Sequence, residues 1–512
     1  MSRDGVMPDR PAAGAQLMSA GLLVAGGFLG SRLLGLLRNI VIGQQFGTTP
    51  ELDAYFAAFR LPDLLFQLLG GAALSGALLP MWAQARRESA AAAHRLASAV
   101  LTLVGLGTAL VAGVAFVMAQ QIVPLTVPGM PTELQQVTVG ITRVLLLSAF
   151  FFSLSGLISG ILQGSERFLL PALAPLLYNA AIIAAALLAP TVGIEGMAWG
   201  VVVGAGLHLA VQLPGLRALG FVYRWTLGLR EAGVRQVLRL TGPRLLGLVV
   251  GQLHFVVATV LATLLGPGSL AALSYAWVVL MMPIGVFGMA LATAFFPAML
   301  AQGADEDRAG LSASVAWGLR LVLFLAVPST VGLFLLSDQI VQALFQRGEF
   351  GASATAVTAA ALAVYAIGLP GHAALEVLIR AFYALRDTTS PFVIAVLGLV
   401  VNVATSLALM EPLGVRGLAL GSSLAALGEA CVAGALLWRR IGPWRGASSL
   451  FRVGLASAAM GVVVVSVRAL SLPALLSATI AVGTGAVVFL ALAWLLGSQE
   501  LRWLVAWTRG EG

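Results

Sequence analysis

Two arginines, Arg32 and Arg38, sit inside the apolar run that opens this chain, in SRLLGLLRNIVIGQQFG (31–47). A third, Arg60, follows in LDAYFAAFRLPDLL, with Asp53 and Asp63 on either side. A guanidinium keeps its charge everywhere, and its planar fork matches two phosphate or carboxylate oxygens at once. Near the centre of a bilayer it costs about 2.5–3.5 kcal/mol on insertion scales, so it persists there by snorkelling, by pairing or by lining a wet cavity. Arg32 lies too far along its run to be a helix end, and Arg38 is about 9 Å further along an ideal helix. Gly30, Gly35, Gly43 and Gly47 offer places for this helix to bend or unwind, freeing backbone that only a cavity would tolerate. Asp53 and Arg60, at helical spacing, fall on nearly one face, and Arg60 and Asp63 flank Pro62, a kink site. Two readings follow. One is a structural salt-bridge cluster joining the first two helices, which suits Asp53 near the outer end. The other is a cationic cavity for a phosphate-bearing anion, with an apolar flank that would suit a lipid tail.

The elements that must hold these residues are membrane spans. The chain has 512 residues, of which 59% are hydrophobic and only 10% charged, and its mean hydropathy is +0.98. A soluble domain carries about 25% charged residues, so this composition describes an all-α polytopic membrane protein. Apolar runs of spanning length place helices near 17–44, 52–83, 95–119, 135–162, 169–190 and 194–214. A second series lies near 237–264, 269–299, 312–336, 355–383, 390–411 and 415–438, and two more near 449–472 and 474–497. That makes about fourteen.

Every basic residue is Arg, and the net charge is +8. The arginines sit in short loops and at helix ends rather than on a basic face, which speaks against nucleic acid as a partner. Arg86, Arg87, Arg95, Arg167, Arg217, Arg224, Arg230, Arg235 and Arg239 fall in alternate loops, as do Arg439, Arg440, Arg445 and Arg452. The opposite loops are poor in arginine. The positive-inside rule then puts both termini in the cytoplasm, in agreement with an even helix count. The single cysteine, Cys431, excludes an internal disulfide, and His94, His208, His254 and His372 lack metal-ligand spacing. With no phosphate-binding loop and no nucleophile elbow, neither an enzyme nor a cofactor or metal site is expected.

The chain also repeats. Gly193-Ile-Glu-Gly196-Met-Ala198-Trp-Gly200 matches Gly414-Val-Arg-Gly417-Leu-Ala419-Leu-Gly421. ALLPMWAQ (77–84) echoes AFFPAMLAQ (294–302), and RFLLP (167–171) answers RDTTSP (386–391). Three matches in order at nearly one offset make two parallel copies of a six-helix unit, an arrangement used by alternating-access transporters. The expected organisation is a cytoplasmic tail (1–16), a first lobe (17–216), a cytoplasmic linker (217–236), a second lobe (237–440), and two further helices with a tail (441–512). The glycine stripes at Gly196, Gly200 and Gly204 and at Gly417 and Gly421 read as close helix packing.

These stretches resemble the MurJ/MviN family of lipid II flippases. The likeness runs through SRLLGLLRNIVIGQQFG, LDAYFAAFRLPDLL and ALSGALLP, then ERFLLPALAPLLYN (166–179), LFQRGEF (344–350), IRAFYALRDTTSP (379–391) and NVATSLALMEPLGVRGLALGSSLAA (402–426). It implies the fold of the MOP exporters, including the MATE drug transporters: two six-helix lobes around a central cavity, plus two C-terminal helices. It implies transport of a polyprenyl-diphosphate-linked sugar-peptide lipid from the inner to the outer leaflet of the bacterial cytoplasmic membrane. Arg32 and Arg38 match the family's cavity arginines, Asp53 matches its acidic residue in the LDAYF motif, and Arg60 joins them as a candidate diphosphate contact. Coupling to the membrane potential or to a monovalent cation, and cell-wall synthesis proteins as partners, are further expectations.

The departures from the family are specific. Leu64-Leu65-Phe66-Gln67 stands where an arginine pair is usual, and Gly71 where an acidic residue is usual. Tyr275-Ala276-Trp277-Val278, with Met281, replaces a charged stretch in helix 8. Ser406, one turn after Asn402, is neutral where a carboxylate could have completed a cation site. Glu376 and Arg380 could restore polarity from the second lobe, or simply form an internal helix pair; Glu429 is equally open. The leading reading is a lipid II flippase. A flippase for another undecaprenyl-diphosphate-linked glycan and a diverged, non-transporting cell-wall scaffold remain beside it, and a cation-coupled drug exporter is disfavoured by the arginines.

Overall fold

A computed structural model describes residues 10–70, 72–444, 447–470 and 472–508. Gly71, Arg445 and the first nine residues of the expected tail lie outside them. The helices run in chain order as α1 (Arg10–Phe46), α2 (Pro50–Ala58), α3 (Arg60–Leu69), α4 (Ala72–Glu88), α5 (Ala90–Thr126), α6 (Thr132–Gln163), α7 (Leu169–Leu187), α8 (Ala189–Ala210) and α9 (Leu213–Arg217). After an extended connection come α10 (Ala232–Leu264), α11 (Ser269–Pro283), a π-helical turn (Ile284–Met289), α12 (Ala290–Ala304), α13 (Arg308–Phe345), α14 (Ala352–Ile367) and α15 (Leu369–Ala384). The chain ends with α16 (Thr389–Leu413), α17 (Val415–Ile441), α18 (Ala447–Arg468), α19 (Ala474–Leu495) and α20 (Gln499–Thr508). Among the described residues, ten helices are long and apolar enough to cross a membrane, and α14 with α15, bent by 46°, makes an eleventh. The arginine-bearing α1, the broken α2–α4 and α10 occupy the remaining expected positions. The protein is a multi-pass, all-helical membrane protein.

Two compact units emerge. One comprises the chain up to Ile42, Ala58–Ile122 and Thr138–Leu248; the other comprises Gly43–Ala57, Val123–Val137 and the chain from Val249 onward. In the first unit a core of Leu78, Trp82, Val100, Leu157, Ile161 and Val237 joins α4, α5, α6 and α10. The connection before α10 is strapped to α5: Tyr223 Oη lies 2.8 Å from Thr102 Oγ1, and the Arg224 amide donates to Ser98 Oγ at 3.1 Å. In the second unit, Phe324, Met460, Val464 and Phe489 join α13, α18 and α19 in a core of their own.

Several expected continuous helices are broken, each for a local reason. The run near 52–83 becomes α2, α3 and α4. Pro62 has no N–H for the Ala58 carbonyl, and the Thr142 hydroxyl from α6 donates to that oxygen instead, at 3.4 Å. The run near 355–383 bends at Gly368, where a Cβ would lie 2.7 Å from Ser423 Cα. There Ser423 Oγ donates to the Val364 carbonyl at 2.9 Å. The run near 269–299 contains the π-turn directly after Pro283. Helix α1, by contrast, continues unbroken through Gly30, Gly35 and Gly43. Its glycines serve approach, not unwinding: a Cβ on Gly27 would lie 2.7 Å from Ala172 Cβ, and Gly30 and Gly35 face Leu176 and Asn179 further along α7.

The internal repeat is visible in backbone geometry. Gly193 and Gly414, which open the matched segments, both take positive φ, 65° and 59°, a conformation that glycine adopts without steric cost. Glu166, just before RFLLP, and Arg386, which opens RDTTSP, also share φ values of 59° and 58°. In each turn the next amide bonds back five residues, Arg167 to Leu162 at 2.8 Å and Asp387 to Phe382 at 2.9 Å. The glycine stripes pack as expected. Gly200 and Gly204 meet Ala185 and Tyr178, and Gly417 and Gly421 meet Leu409 and Ser406.

Candidate functional site

The first unit gathers the charged residues of α1 and α3. Arg32 and Arg38 are half-buried on α1, and Arg60, also half-buried, opens α3. The glycine face of α1 lets it run close and parallel to α7, which sets the turn carrying Arg38 beside Asn179 and Tyr178. Asp63 stands one turn after Arg60, the spacing at which side chains on a helix meet. Arg60 and Arg38 both act electrostatically on Asp63, and Arg38 acts on Tyr178 as well. Asp63, Tyr178, His208 and Ser148 line a cavity of about 280 Å³, with Phe59, Phe66 and Phe152 as its apolar wall. The imidazole is held from behind, since His208 Nδ1 lies 2.6 Å from Ser155 Oγ. Gln212 Nε2 donates to the same Ser155 oxygen at 2.6 Å and Ser159 Oγ donates to Gln212 Oε1 at 2.7 Å. The result is a polar pocket within a membrane-spanning unit, with guanidinium groups beside one carboxylate. Such a patch can hold the oxygens of a phosphate group.

Asp53 has another role. It is 3% exposed, and both carboxylate oxygens accept backbone bonds at the start of α11, from Gly268 at 2.6 Å and Ala271 at 2.7 Å. The break at Phe59 interrupts the helix on which its spacing to Arg60 was reckoned, and Asp53 groups with the second unit. Glu376 and Arg380 form an internal pair on α15 at 2.6 Å, with Arg380 also reaching Thr293 Oγ1 at 3.4 Å. Tyr178 and His208 were absent from the expected site, and Asp63 was expected only as a member of the charged cluster, not as a contact for substrate. The histidine had no ligand spacing, and nothing in the linear pattern shows that α3, α7 and α8 converge.

The second unit has its own polar set. Asn402 Nδ2 lies 3.2 Å from His254 Nδ1, and Ser406 Oγ donates to Asn402 Oδ1 at 3.1 Å. Trp277, in the stretch that departs from the family, packs edge-on against His372, Tyr365 and Phe255. An aromatic cluster thus stands where charge was expected. Glu429 of α17 lies against Gly398 of α16 so closely that a Cβ on the glycine would be 1.6 Å from its carboxylate oxygen.

Residues 42–491 match the family model described as lipid II flippase MurJ. The chain belongs to the MurJ family. A lipid II flippase MurJ from Burkholderia cenocepacia is 34% identical over 420 residues, covering 80% of this chain and 81% of that protein. A probable lipid II flippase MurJ from Rhizobium tropici is 30% identical, covering 87% and 86%. Among solved structures, the inward closed conformation of a lipid II flippase MurJ superposes with a TM-score of 0.81 at 24% identity, over 93% of this chain and 98% of that one. An inward-facing MATE transporter of the MOP superfamily follows at 0.66 and 18%, over 82% and 96%. These two share the fold. The family match begins at Ile42, so Arg60 falls inside it, whereas the placement of Arg32 and Arg38 in the site rests on geometry.

Proposed function

We propose that this MurJ family member moves lipid II from the inner to the outer leaflet of the bacterial cytoplasmic membrane by alternating access, with both termini cytoplasmic. Arg38 and Arg60, with Arg32 earlier on α1, attract the diphosphate and lower the cost of carrying it through a low-dielectric region. The observation that supports this reading is the convergence of Arg38 and Arg60 on the Asp63 carboxylate, and of Arg38 on the Tyr178 phenol, at one cavity inside a membrane-spanning unit. A membrane potential that is negative inside favours outward movement of the anionic headgroup, by about 2.3 kcal/mol per charge per 100 mV. Coupling to a monovalent cation and contacts with cell-wall synthesis proteins extend the same proposal.

Complementation tests it. Wild type, Arg32→Ala, Arg38→Ala and Arg60→Ala are expressed at matched levels in a bacterium whose own lipid II flippase is shut off. Rescue by wild type and lysis with Arg38→Ala or Arg60→Ala is the expected result. Rescue by every variant would remove the arginines from the transport path. No rescue by well-inserted wild type would point to another lipid-linked glycan or to a non-transporting role.

A further inference from the structure

The cavity beside the arginine patch is lined by a group that can change its charge, Asp63. Two guanidinium groups, Arg60 one turn back on α3 and Arg38 from α1, act on Asp63. From the other helices around the cavity Asp63 faces Tyr178 of α7, His208 of α8 and the hydroxyl of Ser148 on α6. With Asp63 ionised, two cations and one anion leave one positive charge; with Asp63 protonated, they leave two. A diphosphate diester carries two negative charges throughout the mildly acidic to neutral range. Protonation of Asp63 removes the anion that competes with the diphosphate for Arg38 and Arg60, and two like charges sharing those cations in a low-dielectric interior are costly.

We propose that Asp63 is a proton-binding site linked to headgroup binding: ionised, it is the counter-ion of Arg38 and Arg60, and protonated, it yields them to the diphosphate. The inference rests on the arginine site proposed above. Loading the headgroup then draws a proton onto Asp63, and release of the proton restores the internal pair and expels the anion. Tyr178 stays neutral in this range. His208 is the other titratable group on the cavity, and its protonation would strengthen anion binding in the same direction, so the two must be separated by experiment.

The test measures lipid II binding to the full chain in nanodiscs from about pH 5.5 to about pH 8, with proton uptake taken from calorimetry in two buffers of different ionisation enthalpy. Affinity in wild type should fall as pH rises, towards the limit of about tenfold per pH unit set by one linked proton, with net proton uptake on binding. Asp63→Asn should bind with a flat profile, and His208→Gln should keep the slope. A flat wild-type profile without proton uptake overturns the proposal, as does a slope that survives Asp63→Asn or disappears in His208→Gln. If Asp63→Asn does not fold, proton uptake by wild type and the slope of His208→Gln decide. Binding that is abolished by Arg38→Ala yet indifferent to pH sinks the proton link alone. No binding by wild type at any pH sinks the arginine site and the proton link together.

Discussion

Asp53 holds the first turn of α11 from 215 residues away, with Gly268 donating to its Oδ2 at 2.6 Å and, beside that bond, the Ala271 amide donating to Oδ1. A helix start has four backbone N–H groups without partners in the helix, and a carboxylate also suits the positive end of its dipole. Gly268 has no side chain to do this. Asp53→Ala should therefore destabilise the protein by about 1–3 kcal/mol, the cost of leaving buried donors unpaired, read as a lower midpoint of thermal unfolding in detergent. Unchanged stability with weakened substrate binding would make Asp53 a ligand and not a cap.

Gly398 and Glu429 make a second exact fit between helices α16 and α17. Because the Cβ position of Gly398 is filled by the Glu429 side chain, Gly398→Ala should lower stability, by about 1–3 kcal/mol for overpacking. Glu429→Ala should relieve much of that loss. A double-mutant cycle is the measurement, and purely additive effects would show that the two residues do not compete for the space.

The turn before α16 carries a pH-sensitive tie. Burial alone would raise the Asp387 carboxyl, but hydrogen bonds from the Ser390 hydroxyl and amide and the Arg440 guanidinium outweigh it and hold the group at about 2. A carboxyl held below its ordinary value of 3.8 stabilises the fold above that value, and the contribution is lost as pH falls through about 2. The Arg440 side chain is 44% exposed, so solvent screens the tie and it contributes about 0–1 kcal/mol. The stability difference between wild type and Asp387→Asn should be constant from neutral pH to about pH 5, then shrink on further acidification. A difference that grows in acid would contradict the assignment.

At the C-terminal end, Glu500 fastens α20 to the helices around it. It is 1% exposed and accepts from Arg320 Nε at 2.6 Å, Ser449 Oγ at 2.6 Å and Ser498 Oγ at 2.8 Å. Trp503 of α20 adds ring contacts with Trp317 and Phe295. Removing one partner of a buried pair leaves the other uncompensated, at a cost of about 3–5 kcal/mol. Glu500→Ala should release α20 to limited proteolysis, whereas Glu500→Gln should retain part of the network and cleave more slowly. Equal protection of wild type and Glu500→Ala would leave the packing of Trp503 as the anchor.

Much was already determined along the chain. Spanning helices follow from runs of apolar residues because no other segment can leave its backbone satisfied in lipid. The repeat follows because the same turn needs the same residues: Gly193 and Gly414 mark equal joints, and the matches at RFLLP and RDTTSP mark equal turns. Arg32, Arg38 and Arg60 stood out because charge in an apolar run demands a reason. What periodicity could not supply was partnership. The breaks at Phe59 and Gly368 depend on hydroxyls from Thr142 and Ser423, each distant in sequence from the carbonyl it satisfies. Asp53 looked like a neighbour of Arg60 because both lie in one motif, yet its oxygens belong to α11. Asp63, Tyr178 and His208 meet only when α3, α7 and α8 close around one cavity. Hydrophobicity is a property of each segment and is legible one residue at a time. A hydrogen bond or a charge pair is short-ranged and directional, so which residues share one is decided only when the helices pack.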